Sequence, residues 1–232
     1  HGLTRPYEPF RFDYETLIYS GLTTKQAIAP MAFNFSDKRS FEVGDYFGEV
    51  LIIRDYPATM SDQLLTRLTD LPIDLVISVH LDKVKQDKAL EKVRRTLAFM
   101  EMEQSANQEK AAEMGRNPEL STPQEVRRKY AGAERLLDSL ENDNQRMFKS
   151  TILLYTFAQD MEKLSDNIIQ ICSVCAEKSC TAAPLDYRQQ EGFNSTLPLG
   201  KNCVDIQRTQ TTGSAAVFIP FTTQELYQPG GM

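Results

Sequence analysis

The residues best suited to chemistry in this sequence are its four cysteines. Cys172 and Cys175 have the two-residue spacing of metal and redox pairs, and Cys180 and Cys203 could complete a four-thiolate zinc site. The pair falls, however, in a segment of helical period, where a three-residue step places two small apolar side chains on or near the core face. Structural zinc sites also hold their cysteines on tight turns. The sequence therefore favours structural thiols and predicts no metal site.

The two histidines offer little material for acid–base catalysis. His1 is the first residue, and His80 closes a β-prone run, so a Ser-His-Asp triad has no obvious centre. His80 is more typical of a surface or hydrogen-bonded core position than of a catalytic base. We therefore predict no catalytic residue and expect that these 232 residues are not an enzyme by themselves.

Two segments with a glycine and a lysine, 21–25 and 200–202, could be mistaken for phosphate-binding loops. Neither has the earlier glycine and the following serine or threonine that such a loop requires. The sequence thus predicts no nucleotide site and no cofactor in this chain.

Six basic residues could form a patch on two predicted helices: Lys92, Arg94, Arg95, Arg127, Arg128 and Lys129. They are interleaved with glutamates, so a solvated face of mixed charge is the default interpretation, and contact with nucleic acid or an acidic partner is the alternative. The formal net charge of -6 disfavours nonspecific nucleic-acid binding, which usually requires a basic excess.

The composition is that of a globular protein. With 232 residues and 41% hydrophobic content, the chain can form one or two domains with a core. No apolar run approaches the ~20 residues of a membrane-spanning helix, and four cysteines, too few for a disulfide scaffold, fit a reducing cytoplasm. The first residues lack the pattern of a signal peptide, and we expect the chain to be a piece of a longer protein.

Strand signals dominate the first third of the chain. Two short β-prone runs, 31–35 and 40–43, predict an N-terminal hairpin. The apolar run 46–56 predicts the first core strand. A short helix with a capping box at 59–62 follows it, and the alternating pattern of 73–80 predicts the second core strand.

Between residues 86 and 145 the apolar period changes to three or four, which predicts two long helices. Residues 115–118 break the run, and Thr122 and Pro123 supply the start of the second helix. The pair should fold back as a helical hairpin. At 1.5 Å per residue the first helix would be roughly 40 Å long, so its distal half should project or pack on another chain.

A third strand at 147–157, a helix capped by Asp160 and a short strand at 180–187 complete the pattern. Without the helical hairpin, the order from residue 46 is the βαββαβ order of a ferredoxin-like fold. We therefore predict an α+β protein with an antiparallel ferredoxin-like sheet, the helical hairpin between its second and third core strands, and an N-terminal β-hairpin. Residues 188–200 are predicted to be a loop, and 215–221 a final strand.

Several segments match one family pattern: SGLTTK at 20–25, QDKA at 86–89, NQRMF at 144–148, DYRQQEGFNSTLPLG at 186–200, RTQTT at 208–212 and FIPFTTQEL at 218–226. Together they resemble the stretch before the P-loop in the VirB/TrbE/CagE family of conjugal transfer (type IV secretion) ATPases. The likeness is greatest to the TraE-like proteins of Gram-positive conjugative elements, and it covers nearly the whole chain.

The resemblance implies an α+β region that precedes a RecA-like motor. In that family the Walker A and Walker B motifs lie downstream, so Mg-ATP and ATPase activity are expected of the full-length protein and not of this piece. The implied domains are an N-terminal segment (1–45), a ferredoxin-like domain (46–200, with the insertion at 86–145) and the start of the motor domain (201–232). A hexamer is expected for the full-length protein, at the cytoplasmic face of the inner membrane.

The expected function is therefore that of a non-catalytic accessory domain. It would mediate contacts between subunits, or with inner-membrane components of the secretion complex, in DNA or protein transfer. The alternative is a stand-alone ferredoxin-like module that binds nucleic acid or a small ligand on its sheet, which usually needs exposed aromatic residues on alternating strand positions. Because Tyr46, Phe148, Tyr155 and Phe157 form no evident platform, we expect no direct nucleic-acid binding and no small-molecule substrate.

Overall fold

A computed structural model describes residues 13–21, 32–57, 63–114 and 124–218. These residues form a mixed α/β protein with an open antiparallel sheet. The helices are α1 (Tyr14–Ser20), α2 (Gln63–Thr69), α3 (Gln86–Glu113), α4 (Gln124–Glu141), α5 (Met161–Glu177), α6 (Gln189–Thr196) and α7 (Thr212–Ala216). The strands are β1 (Phe33–Asn34), β2 (Phe41–Val43), β3 (Tyr46–Asp55), β4 (Leu75–Lys83), β5 (Met147–Ala158), β6 (Thr181–Pro184) and β7 (Arg208–Thr211).

The strands of the described residues lie in one sheet in the order β1-β2-β3-β5-β4, with β6 paired to β3 and β7 paired to β5. One edge of β3 pairs with β5 from Phe47 to Ile52. The other edge pairs first with β2, as far as Gly48, and then with β6 from Leu51 onward. Val50 therefore lies at a gap between two partner strands.

The described residues form two compact units, each with more contacts within itself than with the other. The first unit contains the described residues within 1–80, 150–208 and 217–218. The second contains those within 81–149 and 209–216, and the helix pair α3 and α4 makes up most of it.

In the first unit, the alternation of side chains along β3 builds a core on each face of the sheet. On one face, Leu51 and Ile53 pack with apolar residues of α2 and α5. On the other face, Val50 and Ile52 pack with Phe193 of α6. Because both faces carry buried side chains, Tyr155 and Phe157 of β5 lie inside the protein, whereas Tyr46, Phe47 and Phe148 are half-buried.

Tyr155 of β5 is the centre of an aromatic cluster. Its ring lies 5.8 Å from the ring of Phe41 and 5.5 Å from that of Phe193, and Phe35 stacks on Phe41 at 4.8 Å. The side chain is fully buried, and among the described residues its hydroxyl has no hydrogen-bond partner. Burial raises the pKa of Tyr155 well above its usual range, because the apolar surroundings disfavour the phenolate.

Replacing Tyr155 by phenylalanine should stabilise the protein by about 1 kcal/mol, since the substitution removes a buried polar group that gains no hydrogen bond. The midpoint of denaturant unfolding measures the effect. Tyr56→Phe is the matched control, because the Tyr56 hydroxyl lies 2.7 Å from Ser150 Oγ and its loss should destabilise. A Tyr155→Phe variant as destabilised as the control would show that the Tyr155 hydroxyl is hydrogen-bonded in solution.

The C-terminal part of the first unit differs from the sequence prediction. Residues 188–200 were expected to form a loop, but the structure places helix α6 at Gln189–Thr196. The buried residues Gln189, Phe193 and Thr196 recur at helical spacing, and the surrounding glycine, serine and asparagine hide this period in the sequence. The prediction of a loop there is wrong because burial against β3 outweighs weak helix propensity.

The predicted final strand at 215–221 is also wrong over its first four residues, because α7 extends through Ala216 and residues 217 and 218 form a turn. Its residues 219–221 lie outside the described part of the chain. The short strand β7, which the sequence did not predict, carries mostly polar residues and pairs with β5. A strand of four residues with this composition has no detectable apolar period.

Other boundaries agree with expectation to within a few residues. Strands β1 and β2 pair antiparallel where a hairpin was predicted, and Asp160 caps α5 by accepting a hydrogen bond of 2.7 Å from the Lys163 amide. The capping box at 59–62 and the helix break and restart between 115 and 123 lie outside the described residues. Among the described helices, none has the length and apolar content needed to cross a membrane.

Candidate functional site

The helical hairpin of the second unit has an apolar seam of its own. Helix α3 has 28 residues and α4 has 18. Ala89, Val93 and Leu97 of α3 are buried together with Leu140 of α4 and Met147. Because such positions recur every three or four residues, each helix turns one stripe towards the other and leaves its remaining faces to solvent.

Two hydrogen bonds between the helices define their antiparallel direction. Near the start of α3, Arg94 donates to Glu141 at 2.7 Å. Further along α3, Glu101 accepts a hydrogen bond of 2.8 Å from the hydroxyl of Tyr130, near the start of α4. This hydrogen bond raises the pKa of Tyr130 to about 12, because ionisation would remove the proton that Glu101 accepts.

Because α3 and α4 are antiparallel, the basic residues on α3 and those on α4, which the sequence offered as one possible patch, lie far apart. Arg94 lies beside Glu141, whereas Arg128 lies 13 residues earlier on α4, about 20 Å away along the helix axis. Lys129 pairs with Glu125 at 2.8 Å. The structure therefore does not bring the six basic residues into one patch, and the face of each helix has mixed charge.

Helix α3 exposes two large apolar side chains that take no part in the seam. Phe99 is 67% exposed and Met102 is 72% exposed. They are three residues apart, so they lie side by side on one helix face. An exposed pair of this size is typical of a contact surface, since aromatic residues and methionine are enriched at interfaces.

The four cysteines do not converge. Cys172, Cys175 and Cys180 belong to the core around α5, and burial raises the pKa of all three thiols, that of Cys175 to about 12. Cys203 follows α6 on the other face of the sheet, where its amide donates to Ser195 Oγ. These positions suit structural thiols, and the described residues contain no group of three or more potential metal ligands.

His80 has a structural partner. Its Nε2 atom lies 2.7 Å from the backbone oxygen of Ser195, with which the Ser78 hydroxyl also bonds at 3.3 Å. The Ser195 hydroxyl is instead directed to the Glu191 carbonyl. The His80 Nε2 atom also lies 3.2 Å from the Ser78 hydroxyl. The histidine thus ties β4 to α6.

The loop at 200–202 also has a structural role. Gly200 adopts a left-handed backbone conformation with a φ of 66°. Asn202 donates to the Thr151 hydroxyl at 2.9 Å and accepts from the Val204 amide. These bonds hold the loop against β5. Of the other glycine–lysine segment, residues 22–25 lie outside the described residues.

An open cleft of about 530 Å³ lies beside the N-terminal turns of α5 in the first unit. Its lining includes Asp74, Phe157, Lys163 and Asn167. Asn167 is buried and donates to the Thr156 hydroxyl at 3.2 Å. The cleft could hold a small polar molecule, and the residues that line it include no serine, threonine, cysteine or histidine.

Glu49 is a buried carboxyl group on β3. Only 7% of the residue is exposed, and it lies opposite Thr156 of β5 on the sheet face that packs against α5. Burial raises the pKa of Glu49 to about 7, an effect that Arg39 opposes and that Asp37 and Asp186 increase. With this pKa, the Glu49 carboxyl group loses its proton near neutral pH.

The raised pKa of Glu49 predicts that stability falls as the pH increases. The folded protein holds the proton up to a pH of about 7, whereas the unfolded chain releases it near 4.5, so the loss occurs between these two values. We expect it to amount to roughly 1–2 kcal/mol after solvent screening is allowed for. Denaturant unfolding of the wild type and Glu49→Gln across this range measures it.

Glu49→Gln should remove most of this pH dependence and leave the variant more stable than the wild type at pH 8, because a neutral amide replaces a buried charge. Glu162→Gln, at an exposed position of α5, is the matched control and should keep the pH dependence of the wild type. Parallel pH profiles of Glu49→Gln and the wild type would contradict the assignment.

Sequence reasoning missed the three residues that the structure makes most notable here, namely Phe99, Met102 and Glu49. A signal existed for the first two, because both are large apolar residues that fall off the apolar stripe predicted for their helix. Glu49 gave no signal, since a single acid in a strand is as compatible with an exposed position as with a buried one.

Comparisons of this sequence with protein-family models and with curated proteins found no match.

Proposed function

We propose that the first unit has the ferredoxin-like topology and that α3 and α4 are an insertion into it. Strands β3, β4, β5 and β6 are the four core strands in chain order, and their order in the sheet is β6-β3-β5-β4. Two interleaved β-α-β units produce this order, with α2 and α5 as the two connecting helices. The insertion then falls between the second and third core strands.

We further propose that the chain is a non-catalytic accessory domain of a conjugative transfer ATPase of the VirB/TrbE/CagE type. It acts by contact with other subunits or with inner-membrane components of the secretion complex, and ATP hydrolysis belongs to a motor domain downstream. The proposal rests on the sequence resemblance and on the character of the hairpin. It assigns residues 201–232 to the start of that motor domain.

The observation that carries the assembly function is the exposed pair Phe99 and Met102 on a helix that already has its own seam. The seam residues Val93 and Leu97 are buried, so the hairpin is stabilised without the exposed pair. Apolar side chains kept in water cost free energy that a partner surface would recover, at about 25 cal/mol for each Å² covered. Such a pair is useful to a protein that binds another protein.

The test is a deletion of the hairpin in the conjugative element that encodes the protein. Residues 86–143 are replaced by a short glycine-containing turn, and Gln145 and Arg146 are kept because they bond to Gly213 and Thr212. We expect the variant to fold with the β3–β5 core intact and to lose transfer. Circular dichroism of the purified protein and mating frequency are the two measurements.

A second test variant keeps the hairpin and changes only two exposed side chains on its surface. Phe99→Gln with Met102→Gln should fold as the wild type does, because both side chains are exposed and glutamine is a good helix former. It should lower transfer. Normal transfer by the folded deletion variant would refute the assembly function of the hairpin.

The alternative function, binding of a nucleic acid or small ligand, has one observation in its favour, the cleft that contains Lys163 and Asn167. Base stacking on the sheet is disfavoured, since Tyr155 and Phe157 are buried. Titration with fluorescently labelled single-stranded DNA distinguishes the two functions. Tight, salt-dependent binding that Lys163→Glu weakens would favour the alternative.

A further inference from the structure

Helix α3 carries opposite charges on the two sides of its exposed apolar pair. From Gln86 to Ala98 the exposed charged side chains that do not bond to α4 are three basic and two acidic: Lys88, Lys92, Arg95, Asp87 and Glu91. From Phe99 to Ala112 they are one basic and two acidic: Lys110, Glu103 and Glu109. Both halves carry charges of each sign, but the net charge away from α4 is positive before the pair and negative after it.

We propose that a second copy of this chain covers Phe99 and Met102, with the two α3 helices antiparallel about a two-fold axis near this pair. In that arrangement the apolar pairs of both copies meet at the centre. The positive half of each helix then faces the negative half of the other, and the two-fold symmetry repeats this match twice. A parallel arrangement would instead place like charges together.

The partner of Phe99 and Met102 is then another subunit of the same protein. The choice of a subunit as the partner rests on the proposed assembly function. The contact involves one helix from each copy, which is less than the ~800 Å² per partner of a standard interface. The dimer should therefore be weak and should depend on protein concentration.

Sedimentation velocity of the purified chain over a range of concentrations is the first test. The wild type should change from monomer to dimer as its concentration rises. Phe99→Gln with Met102→Gln should weaken association by roughly tenfold or more, since both apolar contacts at the two-fold axis are lost. Ile169→Gln, at a position 60% exposed on α5, is the control and should associate as the wild type does.

A charge exchange tests the antiparallel direction. Lys92→Glu with Arg95→Glu, or Glu103→Lys with Glu109→Lys, should each weaken association by roughly tenfold, because each places like charges on both sides of the axis. The variant with all four substitutions should associate with itself again and should not mix with the wild type. Each variant is checked for helicity by circular dichroism.

A wild type that stays monomeric at every concentration would overturn the proposal, as would a dimer that the Phe99 and Met102 substitutions leave unchanged. Free mixing of the fourfold variant with the wild type would overturn the antiparallel arrangement. The assembly function fails separately. If the hairpin deletion abolishes transfer while the chain is monomeric, the hairpin contacts a different protein and only the dimer is wrong.

Discussion

Replacing Gln189 by methionine should lower the free energy of unfolding by about 2–3 kcal/mol. The reason lies in the gap on the edge of β3, where β2 has ended and β6 has not begun. The side-chain amide of Gln189 fills this gap, because its oxygen accepts from the Val50 amide at 2.7 Å and its nitrogen donates to the Val50 carbonyl at 3.1 Å. It thus replaces the backbone of a missing partner strand.

Methionine has nearly the same length as glutamine, but it donates no hydrogen bond and accepts one only weakly. The Val50 N–H would therefore remain buried without a partner. A buried unsatisfied donor costs about 1–3 kcal/mol. The Val50 carbonyl is affected less, since it also accepts from the Leu185 amide at 3.4 Å. Denaturant unfolding followed by far-ultraviolet circular dichroism measures the loss.

Gln190→Met is the control for this substitution, because the neighbouring residue on α6 is exposed. It should change stability by no more than about 0.5 kcal/mol. Equal effects of the two substitutions would mean that helix propensity, and not the bonds to Val50, accounts for the change.

Replacing Gly48 by alanine should also destabilise the protein by about 2–3 kcal/mol, because the added methyl group overpacks the aromatic cluster. A Cβ atom at this position would lie 2.9 Å from Cε2 of Tyr155 and 3.0 Å from Cζ of Phe41. Both atoms belong to buried rings that are stacked on each other, so neither ring can move without disturbing the rest of the cluster.

Gly132→Ala is the matched control for Gly48→Ala. Gly132 lies in helix α4, and nothing would approach within 4 Å of an added Cβ atom there. Alanine is the better helix former, so this variant should gain about 0.5–1 kcal/mol. Thermal unfolding of both variants tests the pair, and a Gly48→Ala variant as stable as the wild type would show that the rings are free to shift.

The sequence alone determined the elements whose apolar period is long and regular. The two helices of the hairpin and the strands β3 and β5 lie where the period predicts them, because periodicity is a local property of consecutive residues. The mixed α/β class and the antiparallel sheet follow from those elements, and the structure confirms both.

The sequence could not predict α6, because its helical signal depends on which face is buried. Gln189, Gly192 and Phe193 look like loop residues until β3 and the aromatic cluster are placed beside them. Gly192 then allows close approach, since a Cβ atom there would lie 2.7 Å from Leu185 and 3.0 Å from Val50. Contacts of this kind override local propensity.

The candidate site was predictable in part. The helical hairpin and its seam were expected from spacing, and so was the position of Cys172 and Cys175 on the core side of α5. The separation of the basic residues followed only from the antiparallel pairing that joins Arg94 to Glu141 and Tyr130 to Glu101. Those pairs join residues 47 and 29 positions apart, which no local pattern relates.

Two properties were decided by the tertiary structure alone: the buried carboxyl of Glu49, and the role of Gln189 as a substitute for a strand. Gln189 is 139 residues from Val50, and the gap it fills arises because β2 and β6 cover different parts of the same edge. Local sequence determines what a segment tends to become. Burial and hydrogen-bond satisfaction depend on segments far apart in the chain, and only the assembled fold brings those segments together.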